Sequence, residues 1–157
     1  LTFRTAWVYA AHGQNFLRTM LRLGAEREEL RVVDDQHGAP TDTTLIVNAS
    51  LAALACWQHA DPVQRRQLSG THHLVASGTT TWHGFASAIF EQAAAHGLIQ
   101  RQPRVIPIAS AEFPTPAVRP AWSLLDNRGF QQHFDFPLPD WRHGLNDVIR
   151  QLATSGS

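Results

Sequence analysis

The first nine residues constrain the fold more than any other segment, because their side chains alternate between two faces as those of a β-strand do. One face carries large apolar, aromatic or β-branched residues: Leu1, Phe3, Thr5, Trp7 and Tyr9. A strand of this kind needs hydrogen-bonded neighbours. Only a few short strand candidates follow, so we expect the chain to be the C-terminal part of a larger α/β protein.

Helical periodicity follows in four segments. The predicted helices cover residues 15–26, 44–58, 82–96 and the stretch after residue 140. Apolar residues surround the second helix so nearly completely that we expect it to be buried. Thr41 or Asp42 is expected to cap that helix, the threonine run 79–81 to cap the third, and Asp140 to cap the last. Gly97 is expected to end the third helix.

Further strands are predicted at Leu30–Val33, at Thr71–Ala76 and, as an edge strand, at Val105–Ile108. The segment Asp34–Thr41 combines Gly, Pro and Asp as loops do, and Pro103–Pro120 holds five of the nine prolines. We therefore predict one mixed α/β unit over residues 1–157, with three or four strands and four or five helices.

Composition narrows the possible partners. Thirteen basic and thirteen acidic residues give a formal charge near zero, so no overall field attracts nucleic acid or an anionic membrane. The single cysteine, Cys56, excludes an intramolecular disulfide and suits a reducing compartment. No apolar run approaches the ~20 residues of a spanning helix, and no signal-peptide pattern opens the sequence. We expect a cytoplasmic protein with neither a membrane nor a nucleic-acid partner.

All thirteen basic side chains are arginines, and the absence of lysine limits the chemistry. Schiff-base enzymes, P-loop nucleotidases and the Tyr-x-x-x-Lys pair of short-chain dehydrogenases all need a lysine. The nine histidines show no metal-binding spacing, and the adjacent His72 and His73 point to opposite faces of a strand. Gly-x-Gly-x-x-Gly and Gly-x-Ser-x-Gly are also absent. We predict no metal site and no catalytic residue in this chain.

Three segments have features of a binding site. Trp7 ends the first strand, where α/β sheets bind ligands, and either stacks on a base or sugar or is an ordinary core residue. The loop after residue 33 offers polar groups at Asp35, Gln36 and Thr41 and a close backbone approach at Gly38, or is a plain turn. Arg119 lies in the proline-rich segment, where it either grips a diphosphate or is a surface arginine.

Six segments carry a family resemblance when they are taken in order. They are RTAWVYA, NFLRTMLRL, LRVVDDQHGAPT, HHLVASGTTTWHGFA, EFPTPAVRPAWSLLD and LPDWRHGL. Together they give a resemblance, over essentially the whole chain, to the C-terminal half of the RmlD family, the dTDP-4-dehydrorhamnose reductases among the extended short-chain dehydrogenases/reductases. The resemblance implies a Rossmann-like fold whose N-terminal half binds NADPH or NADH and whose C-terminal half binds the nucleotide sugar.

The resemblance also implies an activity and a set of residues. Family members reduce dTDP-4-dehydro-L-rhamnose to dTDP-L-rhamnose for surface polysaccharides. The substrate-binding residues that it implies are Trp7, Gln36, Gly38, Ala39, Pro40, Thr41 and Arg119. The glycine-rich cofactor loop and the catalytic Tyr-x-x-x-Lys belong to the preceding half, so this chain alone is expected to be inactive. Some relatives share a metal between subunits through carboxylates, but Thr44 and Gln151 occupy the matching positions, so no metal is expected and a homodimer is left open.

Two alternatives remain open from the sequence. One is a related nucleotide-sugar epimerase or dehydratase of the same superfamily. The other is a non-catalytic module that binds nucleotide sugars or regulates another protein. The open edge of the first strand favours a part of a larger enzyme over a free-standing module, because independent domains usually protect such edges.

Overall fold

The computed structural model describes residues 1–155 and has a mixed α/β architecture, as the sequence predicts. Its strands are β1 Thr2–Arg4, β2 Val8–Tyr9, β3 Glu29–Val33, β4 His37–Gly38, β5 Thr41–Asp42, β6 Thr71–His73, β7 Thr80–Thr81 and β8 Arg104–Ile108. Its helices are α1 Phe16–Glu26, α2 Thr43–His59, α3 Pro62–Leu68, α4 Trp82–Ala95, α5 Arg128–Phe134 and α6 Trp141–Ser155, with a 3₁₀ turn at Ser110–Glu112. The described part therefore holds more elements than we predicted.

The strands form four pairs. Three pairs are parallel, β1 with β6, β2 with β5 and β3 with β8, and the fourth, β4 with β7, is antiparallel. The β3–β8 pair is the longest, and its register places Leu30 opposite Val105. This pair confirms the two strands predicted there, and both β3 and β8 run toward the segments that carry Gln36 and Ser110.

The first strand is not continuous, so the expectation of one strand over residues 1–9 is wrong. Trp7 adopts φ +52°, a left-handed conformation that no regular strand contains. The chain turns at this residue, and the Trp7 carbonyl accepts a hydrogen bond from the Thr41 amide at 3.1 Å. As a result β1 and β2 pair with different partners, and the indole is placed at the break between them.

Helix α2 is buried along only one stripe, which corrects the expectation that it is buried all round. Leu45, Ala49 and Ala53 recur every four residues and face the core. On the opposite side Val47 and Leu51 are 54% and 59% exposed. The helix packs on the rest of the chain from one side only, and its apolar composition does not show which side.

The helices α2, α4 and α6 begin at the capping residues predicted from the sequence, and α4 ends at the predicted glycine. Asp42 accepts a hydrogen bond from the Leu45 amide at 2.9 Å, and Thr81 accepts one from Gly84 at 3.0 Å. Gly97 takes φ +71° just after α4, where a residue without Cβ is favoured. The Asp140 carboxylate accepts from the Arg142 amide at 2.9 Å at the start of α6.

Several boundaries differ from the prediction. The strand expected at 71–76 ends at His73, although the next amide, that of Leu74, still bonds to the Arg4 carbonyl. The predicted loop 34–41 contains β4 and the first residue of β5, because its backbone pairs with neighbouring segments. Helices α3 and α5 were not predicted. For α3 the signal was present, since Asp61 and Gln64 form a capping box around Pro62.

The hydrophobic core lies where α1, α4 and α6 meet the strands. Phe85 is fully buried at its centre and makes edge contacts with Tyr9 at 5.2 Å and Trp141 at 5.8 Å between ring centroids. Leu17 and Leu145 close the core from α1 and α6. No helix within residues 1–155 has the length and hydropathy needed to cross a membrane.

Candidate functional site

A cleft of about 1070 Å³ opens between α1, the β3–β8 pair and the proline-rich segment 113–120. Its wall is largely apolar and includes Phe16, Met20, Leu23, Leu30, Val32 and Ile108. Clefts of this size that combine an apolar wall with a few polar groups are typical of small-molecule sites. We therefore take it as the candidate site.

The charged groups of the cleft leave an excess of positive charge. The two carboxylates that line it, Glu29 and Glu112, each form an ion pair with an arginine. Arg27 and Arg119 also line the cleft, and neither has an ion pair or a side-chain hydrogen bond within residues 1–155. Unpaired guanidinium groups beside an apolar wall favour an anionic ligand such as a phosphate or a diphosphate.

Trp7 is fixed at the edge of the cleft by contacts on several sides. Its indole stacks on that of Trp82, with ring centroids 3.6 Å apart and planes 6° from parallel. Gly38 also lies against the ring, where a Cβ would sit only 2.6 Å from Trp7 Nε1. Trp7 Nε1 donates to the Ser123 hydroxyl at 2.9 Å, which in turn donates to the His37 carbonyl at 2.9 Å.

The backbone of Trp7 is strained. A bulky residue at positive φ costs on the order of 1–3 kcal/mol and persists only where its surroundings enforce it. Here the stack with Trp82 and the hydrogen bond to Ser123 supply that enforcement. Such strain clusters at functional sites, and in this chain it places an aromatic edge on the cleft.

Gln36 is held by two hydrogen bonds at the end of β3. Its Nε2 donates to the Ser110 hydroxyl at 2.8 Å, and its Oε1 accepts from Trp82 Nε1 at 3.2 Å. The Ser110 amide and hydroxyl both donate to the Asp35 carboxylate. These bonds from Ser110 hold the pKa of Asp35 below its usual value. The network joins β3, the 3₁₀ turn and α4 around one corner of the cleft.

The structure separates the predicted binding residues into two groups. Trp7, Gln36 and Arg119 all line the cleft. Gly38 packs against the Trp7 indole, and the other three lie behind the cleft as buried residues: Ala39, Pro40 and Thr41. The Thr41 hydroxyl donates to the Ala39 carbonyl and accepts from the Ala76 amide, both at 3.1 Å. Ala39, Pro40 and Thr41 therefore shape the loop without lining the cleft.

Sequence reasoning missed several lining residues. Trp82 was assigned only to a helical stripe, yet it forms the partner of the Trp7 stack. Ser123 lines the cleft, whereas Ser110 bonds to Gln36 without lining it, and neither isolated serine carries a distinguishing signal in the sequence. The apolar residues of α1 were recognised as one face of a helix, but their periodicity does not tell a cleft wall from a core face.

Within residues 1–155, the starts of α1 to α4 lack the glycine-rich turn of a nicotinamide dinucleotide site. Pyrophosphates bind where a glycine-rich turn opens a helix, whereas the helices α1, α2, α3 and α4 begin at the polar caps Asn15, Asp42, Asp61 and Thr81. No group of three or more His, Cys, Asp or Glu side chains that could hold a metal occurs within the described part of the chain.

Tyr9, the only tyrosine, is not placed for acid–base chemistry. It is 2% exposed and does not line the cleft. Burial, together with the nearby Asp42 and Asp147 carboxylates, raises the pKa of its hydroxyl far above the usual value. The phenol therefore stays neutral at physiological pH.

The family model of the RmlD substrate binding domain matches residues 1–154. The dTDP-4-dehydrorhamnose reductase of Shigella flexneri is 43% identical over an alignment of 157 positions. That alignment covers 99% of this chain and 50% of that protein. The dTDP-4-dehydrorhamnose reductase of Bacillus anthracis, solved in complex with NADP, superposes with a TM-score of 0.78 at 32% identity and covers 95% of this chain and 47% of its own.

A more distant structure shares only the fold. The UDP-glucuronic acid 4-epimerase of Bacillus cereus gives a TM-score of 0.64 at 9% identity, and the match covers 99% of this chain and 45% of that one. The chain thus spans about half the length of the relatives that it matches.

Proposed function

The chain belongs to the RmlD substrate binding domain family, and we propose that residues 1–157 form the nucleotide-sugar-binding portion of a cytoplasmic dTDP-4-dehydrorhamnose reductase. The full-length relatives carry that name and are twice as long as the matched segment. The family resemblance and its α/β fold are thereby confirmed. The substrate, the reaction and the other half of the enzyme are what we propose.

The observation that carries the proposal is the cleft with its unpaired Arg119. An apolar wall suits the base and deoxyribose of a dTDP-sugar, and a guanidinium without a protein partner suits its diphosphate. Trp7 and Gln36, which line the same cleft, are proposed to contact the sugar. Ala39, Pro40 and Thr41 are proposed to act from behind, by shaping the loop.

In the full reaction, NADPH or NADH would supply the hydride that reduces the sugar 4-keto group. Because α1 to α4 do not begin at a glycine-rich turn, we assign no hydride or proton step to the described residues of this chain. Their proposed contribution is orientation. Binding energy from the nucleotide, remote from the reacting carbon, holds the sugar in one position and lowers the entropic cost of reaction.

Calorimetric titration of the chain with dTDP tests the binding role. We expect dTDP to bind more tightly than UDP or GDP, which separates this proposal from other nucleotide-sugar enzymes of the same fold. Arg119→Ala is expected to weaken dTDP binding by about 10- to 100-fold, because a hydrogen bond to a charged group contributes about 1.5–3 kcal/mol.

Arg66→Ala is the matched control for Arg119→Ala. Arg66 is likewise exposed and has no side-chain hydrogen bond or ion pair within residues 1–155, but it lies on α3 and does not line the cleft. It should leave the affinity unchanged. Equal affinity for dTDP in the wild type and Arg119→Ala would show that the diphosphate lies elsewhere.

A turnover assay separates an enzyme from a non-catalytic module. NADPH oxidation with dTDP-4-dehydro-L-rhamnose should be absent with this chain alone, since it has no lysine and its one tyrosine is buried. Turnover that appears when the other half of a full-length relative is added would support the reductase. Binding of dTDP without any turnover in that mixture would favour the module.

A further inference from the structure

A relay of hydrogen bonds runs along the rim of the cleft from the end of β3 to the start of α4. It passes from Asp35 to Ser110, from Ser110 to Gln36, and from Gln36 to the indole of Trp82. Trp82 then stacks on Trp7. Four segments that are distant in sequence are joined by one chain of contacts.

The relay has a fixed direction. An ionised carboxylate only accepts hydrogen bonds, so the single proton of the Ser110 hydroxyl must point to Asp35. The hydroxyl oxygen is then left to accept from the amide nitrogen of Gln36, which turns the amide oxygen toward Trp82. The Trp82 indole N–H can only donate and requires the same orientation, so both ends of the relay agree on which end of the Gln36 amide faces which neighbour.

From this geometry we propose that Asp35 and Ser110 are positioning residues of the nucleotide-sugar cleft, which orient Gln36 and Trp82 without touching the ligand. The inference rests on the proposed function for the identity of the ligand. Neither Asp35 nor Ser110 lines the cleft, whereas Gln36, Trp82 and Trp7 all do.

The same pair also anchors the segment that carries Arg119. The Ser110 amide donates to the Asp35 carboxylate at 2.9 Å, which ties the first residue of the 3₁₀ turn to the end of β3. Glu112, at the end of that turn, forms an ion pair with Arg31 on β3. The exposed stretch 113–120 therefore leaves the sheet from a fixed point.

Ser110→Ala tests the relay. It removes the hydroxyl that links Asp35 to Gln36 but leaves the Ser110 backbone amide bond in place. We expect dTDP to bind about 3- to 10-fold more weakly, the effect of one hydrogen bond. We also expect the far-ultraviolet circular dichroism couplet of the stacked Trp7–Trp82 pair to decrease, which a general loss of stability in a folded chain would not cause.

Three further variants make the test specific. Ser110→Thr retains a hydroxyl and should restore both the affinity and the couplet. Asp35→Ala should weaken binding, and the double variant should be no weaker than the worse single one, because both act through one hydroxyl. Ser69→Ala is the matched control, since Ser69 accepts a hydrogen bond from Trp57 Nε1 at 3.1 Å away from the cleft.

The outcomes separate the two proposals. If the wild type binds dTDP and Ser110→Ala binds equally well with an unchanged couplet, the positioning role is wrong and the binding role stands. If the wild type does not bind dTDP, the proposed function is wrong. In that case a couplet lost in Ser110→Ala and restored in Ser110→Thr still supports the positioning role, and an unchanged couplet overturns it.

Discussion

The rim of the cleft and the aromatic core around Phe85 treat polar groups in opposite ways. At the partly exposed rim, the side-chain polar groups of Trp7, Gln36 and Trp82 all have protein partners. In the interior, Tyr9 and Trp141 each bury a polar atom that has no hydrogen-bond partner within residues 1–155. Proteins usually show the reverse, because water serves exposed groups and buried ones depend on the protein.

This difference indicates what each region is built for. Hydrogen bonds at a partly exposed rim add little net stability. Those of Trp7, Gln36 and Trp82 therefore fix the orientation of these side chains more than they stabilise the fold. The interior gains its stability from apolar and aromatic contacts around Phe85, which outweigh a lost hydrogen bond. Substitutions at the rim should therefore change binding, and removal of the unpaired Tyr9 hydroxyl from the aromatic core should cost nothing.

The largest effect is expected for Gly38→Ala. The new methyl group would lie 2.6 Å from Trp7 Nε1. The indole cannot move away freely, because it stacks on Trp82 and donates a hydrogen bond to Ser123. We expect a loss of about 1–3 kcal/mol in the free energy of unfolding, as for overpacked sites. We also expect a clear loss of dTDP affinity. Urea unfolding and calorimetric titration measure the two effects.

Gly129→Ala is the control for Gly38→Ala, because its added methyl group meets no atom within 4 Å. Since alanine also favours the helix in which Gly129 lies, this variant should be at least as stable as the wild type. If Gly38→Ala were as stable as Gly129→Ala and bound dTDP normally, the rim would not be the rigid region that the comparison requires.

Gln36→Glu sharpens the comparison at the rim. The new carboxylate would need a proton from Ser110, whose only one is already donated to Asp35, and it would add a second negative charge nearby. We expect dTDP to bind about tenfold more weakly, a change of about 1.4 kcal/mol. Gln36→Met, which loses both hydrogen bonds but adds no charge, should be less affected.

The comparison of Glu with Met at position 36 tests whether the Ser110 hydroxyl proton is committed to Asp35. A direct affinity series over wild type, Gln36→Met and Gln36→Glu is the measurement. If the glutamate variant bound dTDP better than the methionine variant, the Ser110 hydroxyl would be free to donate to position 36, and Asp35 would not fix its direction.

Local sequence signals were sufficient for the elements that depend on short-range chemistry. Asp42, Thr81 and Asp140 cap the helices predicted from them, and Gly97 ends α4 at a positive φ. The strands β3 and β8 also lie where two short apolar runs predict them, although their pairing joins distant segments and was not predicted. Each of these features is set by a residue and its neighbours within one or two turns.

Long-range contacts were not predictable in the same way. The break of the first strand at Trp7 depends on Thr41, Trp82 and Ser123, which approach it from three distant segments. The composition of α2 is apolar on all sides, so it does not indicate which side the chain covers. Trp7, Gln36 and Arg119 were predicted as binding residues. The hydrogen bonds that join Asp35, Ser110, Gln36 and Trp82 form only when the chain is folded.

The smallest effect is expected for Tyr9→Phe, which tests the interior. It removes a buried hydroxyl that has no hydrogen-bond partner within the described residues, and it keeps the ring contact with Phe85. The free energy of unfolding at neutral pH should be unchanged or greater by up to about 1 kcal/mol, because an unsatisfied buried group is lost. A decrease of that size or more would show that the hydroxyl has a stabilising partner and would remove the contrast with the rim.

Raising the pH should enlarge the difference between Tyr9→Phe and the wild type. The pKa of Tyr9 is raised in the folded chain by burial and by Asp42, so only the unfolded chain loses the phenol proton near its ordinary pKa of about 10. The contribution of the neutral phenol is fully present below that pH and is lost as the pH rises above it. Because the chain has a single tyrosine, phenolate absorbance should appear only as the protein unfolds. Absorbance that rises while the chain is still folded would mean that water reaches Tyr9, and the interior would then satisfy its polar groups as the rim does.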